Sequence, residues 1–297
     1  MIEVLKPGLL TTVQDLGRPG YAHLGVTCSG ALDQPALRLA NRLVGNPEGA
    51  AALETTLTGA TLRLGADTVV AVTGAPCEVT VDSQAVSMWT TLDLPAGCVL
   101  QIGPATAGVR SYVAFAGGID VPTVLGSRAT DTLAGLGPSP LRAGSTLPLL
   151  AAEPSPAVPA VPALNVDPQA WDSLVLRVRW GPRQDWFSVP ARDALLGTAY
   201  KLSVKSNRVG ARLQGESLTR ANASELPSEG LTLGAVQVPA DGQPLVFLAD
   251  HPTTGGYPVI AVVEGDDLPL LAQARPGATV RFSTLARETE DSRRLWT

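Results

Sequence analysis

The chain has 297 residues, of which 45% are hydrophobic and 16% charged, a composition that excludes intrinsic disorder as its main state. Its net charge is −5 and it carries no basic run, so duplex nucleic acid is not expected as a partner. The 30 glycines and 25 prolines leave little room for long helices, which favours a β-rich protein with short elements.

Most periodic segments alternate hydrophobic and polar residues with a period of two, as residues 175–180 do. This alternation is typical of strands with one face in solvent. Wholly apolar runs predict strands buried on both faces; they span residues 69–72, 245–248 and 259–263. A glycine followed by an alternating strand recurs at Gly59, Gly97, Gly144 and Gly277. A duplicated β-unit and chance explain this recurrence equally well.

Few helices are expected. The best-defined one spans residues 31–44, where aliphatic residues share one face, Asp33 lies in the first turn and a Gly-Asn-Pro sequence follows. A second, short helix is expected at residues 267–275, and shorter turns are expected at residues 130–136 and 193–200.

The proline-rich segment 153–168 marks the clearest change in composition. Because proline fixes φ and removes a hydrogen-bond donor, this segment is predicted to be an extended connector. It separates a first unit at residues 1–152 from a second unit at residues 169–297. The predicted fold class is mainly β, with two barrel-like units and a few short helices packed across their openings.

The remaining composition argues against several kinds of protein. Three widely spaced cysteines suggest neither a disulfide framework nor a zinc site, and two histidines are too few for a three-histidine metal centre, so no metal site is expected. P-loop and Rossmann phosphate-binding motifs do not occur. With no leader-like start and no apolar run of about 18 residues, the chain is expected to be soluble and cytoplasmic, with no membrane partner.

The segment 249–258 is the richest in chemical groups. It is longer than a hairpin needs and offers a carboxylate, two hydroxyls, two glycine amides and a tyrosine. Such groups can hold a carbonyl through backbone donors, while Asp250 could accept a proton. The alternative is a purely structural loop, and the role of His251 within it stays open, whereas His23 is interpreted as a packed or surface residue.

Two further loops offer similar groups. Residues 11–21 place an arginine, Arg18, where it could clamp a carboxylate or phosphate, although Asp15 and Arg18 could instead simply pair with each other. Residues 205–212 place Arg208 where it could lie beside the Thr-Thr-Gly-Gly segment, or form an ion pair with Glu229. A helix start at 126–131 would be a weak anion site and is more simply a cap.

Long, irregular motifs follow one another along the chain: TTVQDLGRPGY, SGALD, VLGSRATDTLAGLGP, GPRQDWF, SNRVGARL and GAVQVPADGQPLVFLADHPTTGGYP, followed by LAQARPGATVRF. In this order they resemble the family of biotin-dependent carboxyltransferases and allophanate hydrolase subunit 2. That family includes the C-type component of the bacterial 5-oxoprolinase and KipA-type proteins. The resemblance extends from the first strand to about Phe282.

The resemblance implies two cyclophilin-like β-barrel domains and a place in a heteromeric complex. The implied partners are a KipI-like protein, which is the B-type component of 5-oxoprolinase, and a LamB/YcsF-like protein, which is its A-type component. The isolated chain could self-associate through apolar surfaces left open. The implied activity is ATP-dependent hydrolysis of the cyclic amide 5-oxo-L-proline to L-glutamate, with ATP and magnesium acting in the complex.

Two alternatives remain. One is a carboxyltransferase component acting on urea or a related amide; its biotin would be carried by another protein, because no methionine precedes a lysine here. The other is a KipA-type regulator that binds a KipI-type kinase inhibitor.

The loops and the resemblance together give a set of expected site residues. Those expected to be catalytic are Asp250, Tyr257 and Arg208. Those expected to bind substrate are Thr253, Thr254, Gly255, Gly256, Asn207, Gln237, Glu229, Gln14, Asp15 and Arg18.

Overall fold

A computed structural model describes residues 1–152, 171–222 and 224–284. The strands of the first unit are β1 (Ile2–Lys6), β2 (Leu10–Gln14), β3 (Ala52–Thr56), β4 (Thr61–Leu64), β5 (Thr68–Gly74), β6 (Cys77–Val81), β7 (Gln84–Val86), β8 (Thr91–Leu94), β9 (Val99–Ala105), β10 (Arg110–Phe115) and β11 (Thr146–Leu147). Those of the second unit are β12 (Ser173–Trp180), β13 (Tyr200–Leu202), β14 (Gly210–Gln214), β15 (Glu229–Gly230), β16 (Ala235–Gln237), β17 (Leu245–Phe247), β18 (Thr254–Gly255), β19 (Val259–Val263) and β20 (Thr279–Thr284). The mainly β fold class is confirmed.

The first unit is built from two sheets. One has the strand order β11-β1-β4-β9-β6-β7, and the other has the order β2-β3-β10-β5-β8. Their facing side chains form one apolar core that includes Leu62, Val72, Leu100 and Phe115. The strand β10 is buried along its whole length because it lies at the centre of its sheet.

The second unit is a closed barrel with the strand order β12-β19-β16-β17-β14-β13-β20. Parallel pairing of β12 with β20, from Ser173 opposite Thr279 to Val178 opposite Thr284, closes it. The apolar run at residues 259–263 forms the buried strand β19, as predicted. A separate ribbon of β15 and β18 lies outside the barrel order.

Three α-helices occur in the described residues: α1 (Gln34–Leu43), α2 (Val189–Gly197) and α3 (Leu268–Gln273). The helix predicted at 31–44 is confirmed, and the Asp33 carboxylate caps it by accepting from the Ala36 amide at 3.1 Å. Where a turn was expected at 193–200, the structure has the longer helix α2, which begins earlier because Ser188 caps it. The turn expected at 130–136 is confirmed. Asp131 there accepts the amides of two following residues and holds a turn, and no helix starts from the predicted cap at 126–131.

Contacts between the two units are close. Leu32, which precedes α1, packs into the core of the second unit. Arg275, which follows α3, donates to the carbonyl oxygen of Gly108 at 2.7 Å. The predicted connector at 153–168 lies outside the described residues, so the unit boundaries stay a prediction. No helix in the described ranges is long and apolar enough to span a bilayer.

Candidate active site between the two units

Arg208 and Asp250 form a buried ion pair in the second unit. Arg208 Nε donates to Asp250 Oδ2 at 2.9 Å, and Nη2 donates to Oδ1 at 3.0 Å. Arg208 precedes β14 and Asp250 follows β17, so the pairing of these two strands brings the residues together. The exposed fraction is 2% for Arg208 and 0% for Asp250. Bidentate contact of this kind fixes the geometry of both side chains.

The first unit supplies the other hydrogen bonds of Asp250. Ser29 Oγ donates to Oδ1 at 2.6 Å, and Thr132 donates to Oδ2 from its amide at 2.9 Å and from its hydroxyl at 2.7 Å. Ser29 has a left-handed backbone with a φ of 53°, which is uncommon outside glycine. Because the surroundings must hold such strain, it tends to occur at functional sites. Asp250 therefore contacts the first unit partly through Ser29, a residue whose backbone is strained.

A second acidic residue, Glu54 on β3, also contacts Arg208. Arg208 Nη1 donates to Glu54 Oε1. Glu54 Oε2 accepts from the Tyr112 hydroxyl at 2.7 Å and from the Leu32 amide at 3.0 Å. Arg208 Nη2 also donates to the carbonyl oxygen of Gly30 at 2.7 Å. Gly30 has a φ of 96°, and a Cβ there would lie 2.7 Å from a backbone nitrogen, so this position requires glycine.

The pair is charged at neutral pH. Burial would raise the pKa of Asp250, but the Arg208 charge and the hydrogen bonds from Arg208, Ser29 and Thr132 outweigh it and lower the pKa overall. Burial would lower the pKa of Arg208, but the charges of Glu54 and Asp250 outweigh it and raise the pKa. With no solvent contact and its oxygens already hydrogen-bonded, Asp250 in this conformation holds the units together.

A cleft of about 570 Å³ opens between the units beside this pair. One wall comes from residues 28–38 of the first unit, where the chain enters α1. The facing wall comes from residues 248–251 and 265–269 of the second unit. Polar side chains in the mainly apolar lining include Ser29, Gln34, Arg38, His251 and Asp266. A concave apolar site with a few polar groups is typical of small-molecule binding.

His251 and Arg38 give the cleft its chemical character. His251 Nδ1 lies 2.7 Å from the carbonyl oxygen of Pro252. Because a carbonyl only accepts, His251 is the donor in this contact, through Nδ1. The Arg38 side chain is 38% exposed and pairs with Glu48 at 2.8 Å. A guanidinium in this wall is suited to bind a carboxylate.

The predicted loop 249–258 divides into two parts. Asp250 lies in the buried pair, whereas Gly255 in β18 lies opposite Glu229 in β15. Gln237 Nε2 donates to the Tyr257 carbonyl at 2.9 Å, and the Arg220 guanidinium lies 5.5 Å from the centre of the Tyr257 ring. The second part thus forms a ribbon group on the barrel. Its sequence-predicted members are Thr253, Thr254, Gly255, Gly256, Tyr257, Glu229 and Gln237.

The side chains of Glu229 and Asn207 form hydrogen bonds with residues other than Arg208. The predicted ion pair of Arg208 with Glu229 is wrong, because Glu229 pairs with Arg183, whose Nε lies 3.0 Å from Glu229 Oε2. Asn207 is exposed, and its Oδ1 accepts the amide of Val209 at 2.9 Å, so it caps its own turn.

The N-terminal loop packs against a neighbouring loop of its own unit. Asp15 accepts from the Ser127 hydroxyl at 2.7 Å and from the Arg128 amide at 2.6 Å, while Arg18 donates to the Val124 carbonyl at 3.3 Å. The alternative in which Asp15 and Arg18 pair with each other is therefore wrong. Arg18 Nη1 has no hydrogen-bond partner among the described residues, so this buried group retains a free donor.

Gln14 belongs to the same buried network as Asp250. Its Nε2 donates to the Thr130 carbonyl at 2.9 Å, and Ser29 Oγ, which donates to Asp250, lies 3.3 Å from that oxygen. Of the predicted residues, the structure thus joins Gln14, Arg208 and Asp250 through hydrogen bonds, and it places the ribbon group separately. Their roles in catalysis or substrate binding stay predictions.

The family model described as "Carboxyltransferase domain, subdomain A and B" matches residues 24–284. This range takes in nearly all of the described strands of both units. The chain belongs to this family.

Two relatives of the chain are components of 5-oxoprolinases and have nearly its length. The C-type 5-oxoprolinase component of Escherichia coli (strain K12) is 42% identical, covering 95% of this chain and 90% of that protein. The component of the same name from Haemophilus influenzae is 35% identical, covering 96% of this chain and 92% of that protein. These alignments run nearly from end to end in both proteins.

Solved structures of longer proteins contain the same fold. The crystal structure of TTHA0988 has a TM-score of 0.85 at 38% identity, covering 95% of this chain and 55% of that chain. That of the K. lactis urea amidolyase has a TM-score of 0.88 at 32% identity, covering 96% of this chain and 19% of that chain. This chain therefore spans about half of the first protein and less than a fifth of the second.

Sequence reasoning missed several members of the buried network. Glu54 stands in a strand whose neighbouring positions are buried, and a charged residue there was an available signal. Ser29 and Asp33 lie in the SGALD motif, which carried the resemblance but no assigned role. Thr132 lies in the VLGSRATDTLAGLGP motif, which likewise carried no assigned role for it, and its contact with Asp250 spans 118 residues.

Proposed function

We propose that this chain is the C-type component of an ATP-dependent 5-oxoprolinase, which hydrolyses 5-oxo-L-proline to L-glutamate. The observation that carries the proposal is the 42% identity to the E. coli component of that name over 90% of its length. A match of this extent aligns the two chains nearly end to end. The urea amidolyase match, by contrast, takes in 19% of a much larger chain.

A protein named as one component of an enzyme works with others, and we propose the same for this chain. The proposed partners are a KipI-like B-type component and a LamB/YcsF-like A-type component, with turnover in the assembled complex only. In the overall reaction one water opens the C–N bond of the lactam and another hydrolyses ATP to ADP and phosphate. The products are glutamate, ADP and phosphate.

The cleft between the units suits a compact lactam acid. Its apolar walls would contact the ring carbons, and Arg38 would bind the carboxylate of 5-oxoproline. Ser29 and His251 line the same cleft and would bind the amide edge of the lactam. The buried pair of Arg208 and Asp250, which lies beside the cleft, would fix the position of the two walls relative to each other.

The ribbon group is proposed as the second contribution of this chain. These residues do not line the cleft, so their proposed roles require the substrate to reach the ribbon in the assembled complex: the Gly255 and Gly256 amides would stabilise the charge that develops on the lactam oxygen, and the Tyr257 hydroxyl would transfer a proton. Tyr257 is 45% exposed, so its hydroxyl is accessible to a substrate or to a partner protein.

The described residues do not by themselves fit an ATP and magnesium site. No group of three His, Cys, Asp or Glu side chains in these ranges is placed to hold a metal ion. The cleft walls are mainly apolar, with one arginine among their lining residues. Because phosphates require clustered donors and magnesium requires oxygen ligands, we propose that the partner proteins hold most of the nucleotide.

A carboxyltransferase activity is the second candidate, favoured by the description of the matching family model. In that case a carboxyl group would pass from biotin, carried by another protein, to a urea-like nitrogen in the same cleft. The biotin ureido ring and a lactam share the N–H and C=O edge that the cleft polar groups could bind.

A substrate comparison distinguishes the two. The chain is assembled with its candidate B-type and A-type partners and supplied with ATP and 5-oxoproline, and, separately, with a biotin carboxylase, a biotinylated carrier, ATP, bicarbonate and urea. The proposal expects glutamate in the first mixture and no urea-dependent ATP hydrolysis in the second. The opposite pattern would favour the carboxyltransferase.

A further inference from the structure

The side chain of Gln273, in the second unit, forms hydrogen bonds with the first unit. Gln273 ends α3 and is 1% exposed. Its Nε2 donates to Asp33 Oδ2 at 2.7 Å and to the Arg110 carbonyl at 2.9 Å. Its Oε1 accepts the amides of Val109 at 2.9 Å and of Arg110 at 2.8 Å. All four hydrogen-bonding positions of the amide are used, and every partner lies in the first unit.

Asp33 extends this contact to the opposite helix. One carboxylate oxygen of Asp33 caps α1 through the Ala36 amide, and the other accepts from Gln273. The start of α1, at Gln34 and Pro35, belongs to one wall of the cleft, and the start of α3, at residues 268–269, belongs to the facing wall. At 1.5 Å per residue, Gln273 lies about 8 Å along α3 from that wall. One side chain thus couples the helices on both sides of the cleft.

The surroundings of Asp33 make the contact sensitive to charge. Burial raises the pKa of Asp33, although hydrogen bonds from Gln273 and Ala36 oppose the rise. The ionisable groups around it are Glu54, Arg110, Tyr112 and, through Glu54, Arg208. A buried carboxylate in this setting depends on each donor it has, because an unpaired buried charge is strongly unfavourable.

We propose that Gln273 is a positioning residue that sets the separation of the two cleft walls and, through it, the affinity of the cleft for its small amide substrate. The identity of that substrate rests on the proposed function. The coupling of α1 to α3 rests on the hydrogen bonds alone.

The informative variant is Gln273→Glu, which keeps the shape and the acceptor oxygen for the two amides. When ionised, the new carboxyl loses both donors and places a second negative charge against Asp33. Burial and that neighbouring charge raise its pKa, so lowering the pH restores an O–H donor to Asp33. At about pH 8 we expect KM for 5-oxoproline to rise about tenfold with kcat within about twofold, and at about pH 6 we expect KM within about threefold of wild type.

The matched control is Arg275→Gln. Arg275 also joins the end of α3 to the first unit, through the Gly108 and Ala105 carbonyls, but these contacts do not involve Asp33. Its KM should keep the wild-type pH dependence. If Gln273→Glu lowers the thermal unfolding temperature while its KM follows wild type at both pH values, the residue is merely structural and the proposal is overturned.

A second measurement does not depend on activity. Amide hydrogen exchange of residues 34–38 in the full chain should be faster in Gln273→Glu than in wild type at about pH 8, and the difference should shrink at about pH 6. If the wild-type complex fails to turn over 5-oxoproline, the proposed function fails, and exchange still decides the coupling. Unchanged exchange at the start of α1 would contradict it.

Discussion

The Arg208 guanidinium and the Asp250 carboxylate meet through two parallel hydrogen bonds of 2.9 and 3.0 Å, and both groups are buried. Both belong to the second unit, yet each is also bound by the first, Arg208 by Glu54 and Asp250 by Ser29 and Thr132. The pair is therefore part of the contact between the units. The cleft beside it depends on this contact for its shape.

Removing one charge of this pair should destabilise the protein strongly. In Asp250→Asn the Arg208 charge loses a buried partner, and breaking a buried ion pair in this way costs about 3–5 kcal/mol. Urea unfolding of the full chain measures the loss. The control is Glu264→Gln, which removes the partner of the exposed Arg179 and should change stability little. Equal effects of the two substitutions would show that the buried pair does not hold the units together.

The same pair predicts a dependence of stability on acid. Since the pKa of Asp250 is lower in the folded state than in the unfolded chain, its contribution is complete above the unfolded value of about 3.9 and is lost as the pH falls through the folded value. Asp33, whose pKa is raised, acts in the opposite direction. The difference in unfolding free energy between wild type and Asp250→Asn should therefore shrink below about pH 4. A constant difference in unfolding free energy down to about pH 2.5 would argue against this assignment.

Filling the cleft should block turnover while leaving the fold intact. Leu233 lies in the cleft lining and is 41% exposed, so Leu233→Trp can occupy the cleft without burying a new group in the core. In the assembled complex we expect kcat/KM for 5-oxoproline to fall at least about tenfold. Leu9→Trp, at a 66% exposed position outside the cleft lining, is the control. Full activity of Leu233→Trp would move the substrate site elsewhere.

The Tyr257 hydroxyl is expected to act in proton transfer, and Tyr257→Phe isolates it. The ring that contacts Arg220 is retained, so the ribbon should stay in place. If the hydroxyl moves a proton, kcat falls about 100-fold with little change in KM. Tyr21→Phe, also in a loop, serves as the control. Normal kcat in Tyr257→Phe combined with a loss in Tyr257→Ala would assign the role to the ring alone.

Local patterns predicted the elements of the fold well. Alternation marked β12, apolar runs marked β19, and Asp33 with the following Gly-Asn-Pro marked α1, because each signal depends on residues within one element. The turn expected at 130–136 forms because the Asp131 side chain accepts the backbone amides that follow it. Local pattern does not reveal which strands pair across a sheet, so the expectation of barrels relied on the family resemblance as well.

The site was predicted only in part, for a related reason. The carboxylate and guanidinium of Asp250 and Arg208 were recognisable as chemical groups. Their partners were not, since Glu54 lies 154 residues from Arg208 and Ser29 lies 221 residues from Asp250. Whether a charged side chain is buried also decides between a structural and a catalytic role, and the composition of a loop does not indicate burial. Gln273 lies in a short helix whose sequence does not single it out. The proposal that it positions the cleft walls depends on its four hydrogen bonds, which only the structure reveals.

The place of this chain in a 5-oxoprolinase is tested by reconstitution with one component left out at a time. Glutamate and ADP are measured with 5-oxoproline and ATP present, and assembly is followed by size-exclusion chromatography. We expect equal amounts of glutamate and ADP when this chain and both partner proteins are present, and neither product when this chain is omitted. Equal turnover without this chain, or no turnover in a mixture shown to be assembled, would show that the chain is not a component of a 5-oxoprolinase.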